Sequence, residues 1–144
     1  MNESMKVLSE DQRHHLDIVE AQITRMSENS KQMKSWSITL ITALISACLM
    51  KGNKDLLIVA MIVSVIFCFL DACYLMLERR FRCIYKAVAG LPLPFEYENV
   101  TVQLYEMNPQ KFTKGKESLF SAFRSWSVWV LYLAEIAASF CLWN

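Results

Sequence analysis

"LLIVAMIVSVIFCFLDACYLML", residues 56–77, decides how this chain is read. It is an unbroken apolar run of about 22 residues, longer than the roughly 20 a helix needs to cross a bilayer, and its one charge, Asp71, lies near its end. A burst of basic residues follows at once in "ERRFRCIYK", residues 78–86. The stretch therefore reads as a membrane span that ends at a cationic boundary.

Working outward, "KGNKD" at 51–55 reverses the chain, and "SWSITLITALISACLM" at 35–50 precedes it. That earlier block covers only about 24 Å of a roughly 30 Å hydrocarbon core. Lys31 and Lys34 at one end and Lys51 and Lys54 at the other extend its reach by snorkelling, with Trp36 as an interfacial aromatic. The two spans, 35–50 and 56–77, make a transmembrane hairpin. Helix is expected to continue past residue 77 until Gly90, Pro92 and Pro94 stop it, supported by Glu78 and Arg82 at i, i+4. A third block, residues 125–143, is long enough to cross and short enough to be a buried or re-entrant helix; a crossing is the reading taken here.

The rest of the composition agrees. Hydrophobic residues make up 54% of the 144 and fall in three blocks, while the net charge of +1 provides no field that would favour nucleic acid. The five cysteines form no CxxC pair, and four lie in apolar blocks, so they read as reduced. The fold class expected is an all-α membrane protein: residues 1–34 an amphipathic cytoplasmic helix, 35–77 the hairpin, 78–124 a cytoplasmic extension and connecting segment, and 125–144 a third span. Within the connecting segment, "NVTVQLY" reads as a short strand.

Before the first span, Ser9 and Gln12 make a capping box, and no glycine or proline occurs up to Gly52. Leu16, Val19, Ile23, Met26 and Met33 recur as a heptad seam, with Ser30 at the missing position. The seam serves either to associate copies of the chain or to pack on the chain's own soluble part. Basic residues are denser before the first span and after the second than in the loop between them. This asymmetry puts the N-terminus and the arginines on the cytoplasmic side and leaves the Asn99 sequon out of reach of any glycosylating compartment.

Candidate site residues are few. Ser35, Thr39, Thr42 and Ser46 lie at i, i+4, i+7 and i+11, one face of a helix, beside Ala43 and Ala47. Such a stripe suits close helix packing in lipid or the lining of a pore built from several copies. Asp71 and Glu135 are intramembrane acids, expected to face protein or water, Asp71 through a neighbouring arginine or Tyr74. Tyr74, Glu78, Arg79 and Arg82 mark the junction between membrane and cytoplasm. His14 and His15 are adjacent, point to different faces and read as a surface pair without metal-ligand spacing. Residues 111–124 interleave Lys111, Lys114, Lys116 and Arg124 with Phe112, Phe120 and Phe123, which suits lipid headgroups and, at the margin, a nucleotide. No phosphate loop, nucleophile elbow or Cys/His constellation is present, so neither an enzyme nor a cofactor is expected.

The hairpin flanks carry a resemblance. "RM-x-x-NS-x-x-x-K-x-W", here Arg25, Met26, Asn29, Ser30, Lys34 and Trp36, runs into the first span. "LD-x-x-YL-x-x-ER-x-FR-x-x-Y" leaves the second, from Leu70 and Asp71 through Tyr74, Leu75, Glu78, Arg79, Phe81 and Arg82 to Tyr85. Over residues 22–88 the chain resembles a group of small bacterial membrane proteins. In architecture it is similar to the two-span effectors of anti-phage systems of the SLATT type. The resemblance implies an oligomeric effector of the bacterial inner membrane that perturbs or permeabilises the bilayer, triggered by a cytoplasmic sensor protein or a nucleotide second messenger. A constitutive ion channel or ion-coupled transporter using the two acids is the alternative, as is a non-catalytic scaffold.

Overall fold

A computed structural model describes residues 9–144. Two long helices dominate it: α1, Glu10–Lys51, and α2, Asp55–Ala89. A short α3, Leu119–Phe123, leads into α4, Trp126–Trp143, and no strand occurs among the described residues.

Helix α1 starts where the capping box places it. Ser9 Oγ accepts the Gln12 N–H at 3.2 Å and Gln12 Oε1 accepts the Ser9 N–H at 3.1 Å, satisfying two of the donors that a helix start leaves open. It ends at Gly52, and α2 ends at Gly90. Both glycines adopt left-handed backbone, with φ of 67° and 71°, which a side chain would strain.

The two helices pack antiparallel, and the seam that joins them is the heptad pattern read from α1. Leu16, Val19, Met26, Ser30 and Met33 are buried, and the pattern runs on unbroken through Ser37, Ile41 and Cys48. On α2 the facing positions also fall seven apart: Leu57, Ser64, Asp71 and Glu78 are all buried. Val19 and Met26 share one core cluster with Phe81, Cys83 and Ile84, with Ile23 packed against it. The seam is thus covered by the protein's own α2. Of the two readings of Leu16, Val19, Ile23, Met26 and Met33, the packing matches the one on the chain's own part and not an open association face: a hairpin with a three-residue turn brings the complementary seam onto the same chain.

Helix α4 lies against α2 and, more lightly, α1. It buries Val128, Tyr132, Glu135 and Ser139, one stripe at i, i+4, i+7 and i+11. Lys54 Nζ meets the Trp143 carbonyl at 2.5 Å, so α4 runs parallel to α1 and ends beside the α1–α2 turn. At about 27 Å, α4 is slightly longer than the roughly 24 Å apolar part of α1, and all three helices are long and apolar enough to cross a membrane.

The outer surface between the helix ends is apolar. Ile62, Val65, Ile66 and Phe69 on α2 are exposed, as are Ile38 and Leu49 on α1 and Leu133 and Phe140 on α4. A continuous belt of this kind belongs in lipid rather than water. Trp36 and Trp126 are exposed at the same end of the bundle, where interfacial aromatics sit.

The connecting segment folds back on the extended hairpin. "NVTVQLY" is irregular and not a strand; its Val100 and Val102 pack against the α1–α2 cluster. Tyr97 and Phe112, both buried, pack edge to face at 5.0 Å, and the Tyr97 hydroxyl bridges the N–H and carbonyl of Lys114.

Candidate functional site, a buried polar seam

The apolar belt encloses a column of polar side chains. At one level, Ser30 of α1 donates to Asp71 Oδ1, and Lys34 Nζ lies 2.6 Å from Oδ2, off the hydrogen-bond axis, as an ion pair. Lys34 also donates to Ser30 Oγ at 3.1 Å. Asp71 is 0% exposed and the Lys34 side chain 27%, so the charge pair sits at the edge of the enclosed region. The expected partners of Asp71, an arginine or Tyr74, are not the ones it takes. Lys34 turns inward to neutralise it instead of snorkelling outward, since an unpaired carboxylate there would cost several kcal/mol.

Seven residues along each helix, about 10 Å deeper, lies the second level. Ser37 of α1 and Ser64 of α2 both donate to Glu135 Oε2 of α4, at 2.7 and 2.9 Å. Glu135 Oε1 is buried with no partner, as is the Tyr132 hydroxyl one turn earlier on α4. Ser139 donates back to the Glu135 carbonyl at 3.0 Å. No cation approaches Glu135 among the salt bridges of the described residues.

Three helices therefore converge on two acids, and both acids find partners inside a single chain. This removes one ground for expecting association, namely that the acids need sister subunits to satisfy them. The residues that satisfy them, Ser30, Ser37 and Ser64, were not singled out as site residues in the sequence. Their signal was present, because Ser37 follows Ser30 by seven and Ser64 precedes Asp71 by seven.

The hydroxyl stripe lies on the opposite face. Ser35, Thr39, Thr42 and Ser46 are all exposed, pointing away from α2 and α4. Thr39 and Ser46 donate to the carbonyls four residues earlier, at 2.9 and 2.8 Å, so those two hydroxyls are satisfied within α1.

At the junction, Glu78 accepts two hydrogen bonds from Arg82, at 2.7 and 3.0 Å, while Tyr74 packs against the core cluster. Arg79 and the buried Arg80 donate to the carbonyls of Lys116 and Glu117, pinning the connecting segment to α2. Arg79 of the junction and its neighbour Arg80 are thus structural clamps. Within residues 111–124, Phe112 is buried and Lys111 pairs with Glu106 at 2.6 Å, which takes both away from lipid; Phe120 remains exposed. The histidine pair is also not a surface pair: His15 is buried, and its Nδ1 accepts the Tyr105 N–H at 3.1 Å.

Compared with known proteins, the chain matches no protein family, no curated protein and no solved structure. Its class rests on the fold: an all-α membrane protein with three helices of spanning length around a polar seam.

Proposed function

We propose that this protein is an effector of the bacterial inner membrane that perturbs or permeabilises the bilayer when activated. The observation that carries the reading is the polar seam. Hydrogen bonds between membrane helices contribute only about 0.6 kcal/mol each on average, less than a buried acid costs in hydrocarbon. A seam of small apolar residues would hold an inert anchor together without that cost. Ser30, Lys34, Asp71, Ser37, Ser64 and Glu135 pair with one another while the helices are closed, leaving only Glu135 Oε1 open, and parting the helices turns the same groups toward water.

Homo-oligomerisation is supported by the outward stripe of Ser35, Thr39, Thr42 and Ser46 beside the exposed Ala43, small residues that allow close approach of a second copy. A cytoplasmic N-terminus is supported by the charge bias, with Arg25, Lys31, Arg79, Arg80, Arg82 and Lys86 at one end and Lys51 and Lys54 at the other. The anti-phage setting, with a cytoplasmic sensor protein or a nucleotide second messenger as trigger, draws its support from the resemblance of the hairpin flanks to SLATT-type effectors.

The experiment is inducible expression in cells carrying a potential-sensitive dye. Depolarisation is expected, and Asp71→Ala or the pair Thr39→Leu/Thr42→Leu should suppress it while the protein still reaches the membrane. Depolarisation that neither variant changes sinks the pore.

A second reading, a constitutive channel or ion-coupled transporter, draws on the unpartnered Glu135 Oε1. It requires that purified protein in liposomes conduct without any trigger and that Glu135→Gln abolish the current. The scaffold reading draws no support from the α1 seam, which α2 covers.

A further inference from the structure

Beyond the end of the second span, α1, α2 and the connecting segment line an open cavity of about 490 Å³ that the polar seam does not reach. Its volume falls in the range of small-ligand sites, about 300–1,000 Å³. Helix α2 lines one wall with Arg79, Arg82 and Lys86, at i, i+3 and i+7, so three cations lie along one helix face. Like charges so placed repel unless something answers them. Arg79 is answered by the Lys116 carbonyl and Arg82 by Glu78; Glu20 of α1 also lines the cavity, but neither it nor Lys86 has an ion-pair partner among the described residues.

The other walls differ in character. Ile23 of α1, with Leu91 and Pro94 of the connecting segment, provides flat apolar surface, and Tyr85 adds an aromatic ring. Glu117 lines the cavity and is buried; its Oε1 is taken by the Cys83 thiol at 3.7 Å, and its Oε2 is buried with no partner. A buried acceptor left open in this way calls for a donor.

We infer that this cavity binds a phosphate-bearing ligand with an N–H donor: the phosphate on Lys86 and on the Arg82 N–H groups that Glu78 leaves open, the donor on Glu117. Two ligands share that chemistry, a soluble nucleotide and an aminophospholipid headgroup. The nucleotide is the better fit. Of the cations, Arg79 lies about 3 Å beyond residue 77, where the second span ends, within the headgroup layer. Arg82 and Lys86 lie about 8 and about 13 Å beyond it, past the roughly 5–7.5 Å that headgroups add on one side of the bilayer. The apolar walls suit a planar base, whose N–H edge meets Glu117. The site stands on its own lining residues and holds whatever the spans do to the membrane.

The test uses the full chain in mild detergent, titrated calorimetrically with GMP, AMP, inorganic phosphate and glycerophosphoethanolamine. A purine nucleotide should bind more tightly than inorganic phosphate, and Lys86→Glu should weaken it by about tenfold or more while Lys86→Arg retains it. Lys86 is exposed on its helix, so unchanged helical circular dichroism is expected of both variants; if the glutamate variant does not fold, Lys86→Gln takes its place. Three results overturn the inference: no heat from either nucleotide, glycerophosphoethanolamine or inorganic phosphate binding as tightly as the nucleotides, or nucleotide affinity unmoved by the charge reversal.

Discussion

Lys34 and Asp71 close an ion pair across the hairpin at 2.6 Å, and their exposures are unequal: 27% for the lysine side chain, none for the aspartate. The two deletions should therefore differ. Asp71→Ala leaves a lysine that can swing its long stem toward the boundary, at a cost of about 1–3 kcal/mol. Lys34→Ala strands a carboxylate with only Ser30 to bond it, at about 3–5 kcal/mol. Replacing both by apolar residues, Lys34→Met with Asp71→Leu, should come close to the parent. Unfolding in mixed micelles, followed by helical circular dichroism, reads the order. Equal losses from the two single variants would contradict the inward role given to Lys34.

Glu135 depends on its serines more than the bundle depends on Glu135. Ser37 and Ser64 supply both hydrogen bonds to its carboxyl group. Removing both donors, Ser37→Ala with Ser64→Ala, leaves the acid buried without a partner and should cost about 1–3 kcal/mol for each hydroxyl lost. Glu135→Leu removes the demand itself and should be milder. The same micelle unfolding measurement compares them, and a double serine variant as stable as the parent would rule out this account of the second level.

How much of this was legible in the sequence depends on spacing. The helix bounds were, because Ser9, Gly52 and Gly90 are local signals that act where they stand. The heptad on α1 was legible too, but its partner was not: a seam shows that a face is covered without showing what covers it, and the short turn at 52–54 settled that in favour of α2. Asp71 and Glu135 stood out as charges in apolar runs. Their donors did not, because serine is unremarkable in a membrane helix until its sevenfold register with Asp71 is followed through the span. The Lys34 contact was hidden by the habit of lysines near a boundary to point outward. The path of residues 91–118 was least legible, since side-chain contacts between residues far apart in the chain decide it.

His15 and Tyr105 are such a contact, 90 positions apart. Tyr105 holds a left-handed backbone at φ 63°, unusual for a residue with a side chain, and its N–H is received by His15 Nδ1 at 3.1 Å. Its ring lies 5.7 Å from that of His15, and its hydroxyl reaches Asp11 at 3.3 Å. His15→Ala should free the Tyr105 N–H and release the loop from α1, with a loss of about 1–3 kcal/mol in local protection. Amide hydrogen exchange at residues 102–107 is the measurement. Acceleration there, with the exchange of residues 56–77 unchanged, is expected; uniform acceleration would mean that His15 supports the whole fold rather than this loop.

Glu106 fastens the same loop from its other side. Lys111 Nζ lies 2.6 Å from one carboxylate oxygen and 2.8 Å from the other, and the Gln103 N–H donates at 2.9 Å. The Lys111 hydrogen bond first, and the Gln103 amide second, hold the Glu106 carboxyl below the usual glutamate range. A carboxyl lowered in the folded state stabilises the loop in full above its unfolded value, and that contribution disappears as pH falls through the lowered one. The Glu106 carboxyl carbon resonance should thus titrate with a midpoint under the ordinary value of about 4.3, and the Gln103 amide shift should follow the same curve. Lys111→Met removes the larger cause and should return the midpoint toward the ordinary value. A midpoint already ordinary in the parent, or unmoved by the substitution, would show that the clasp is not formed in solution.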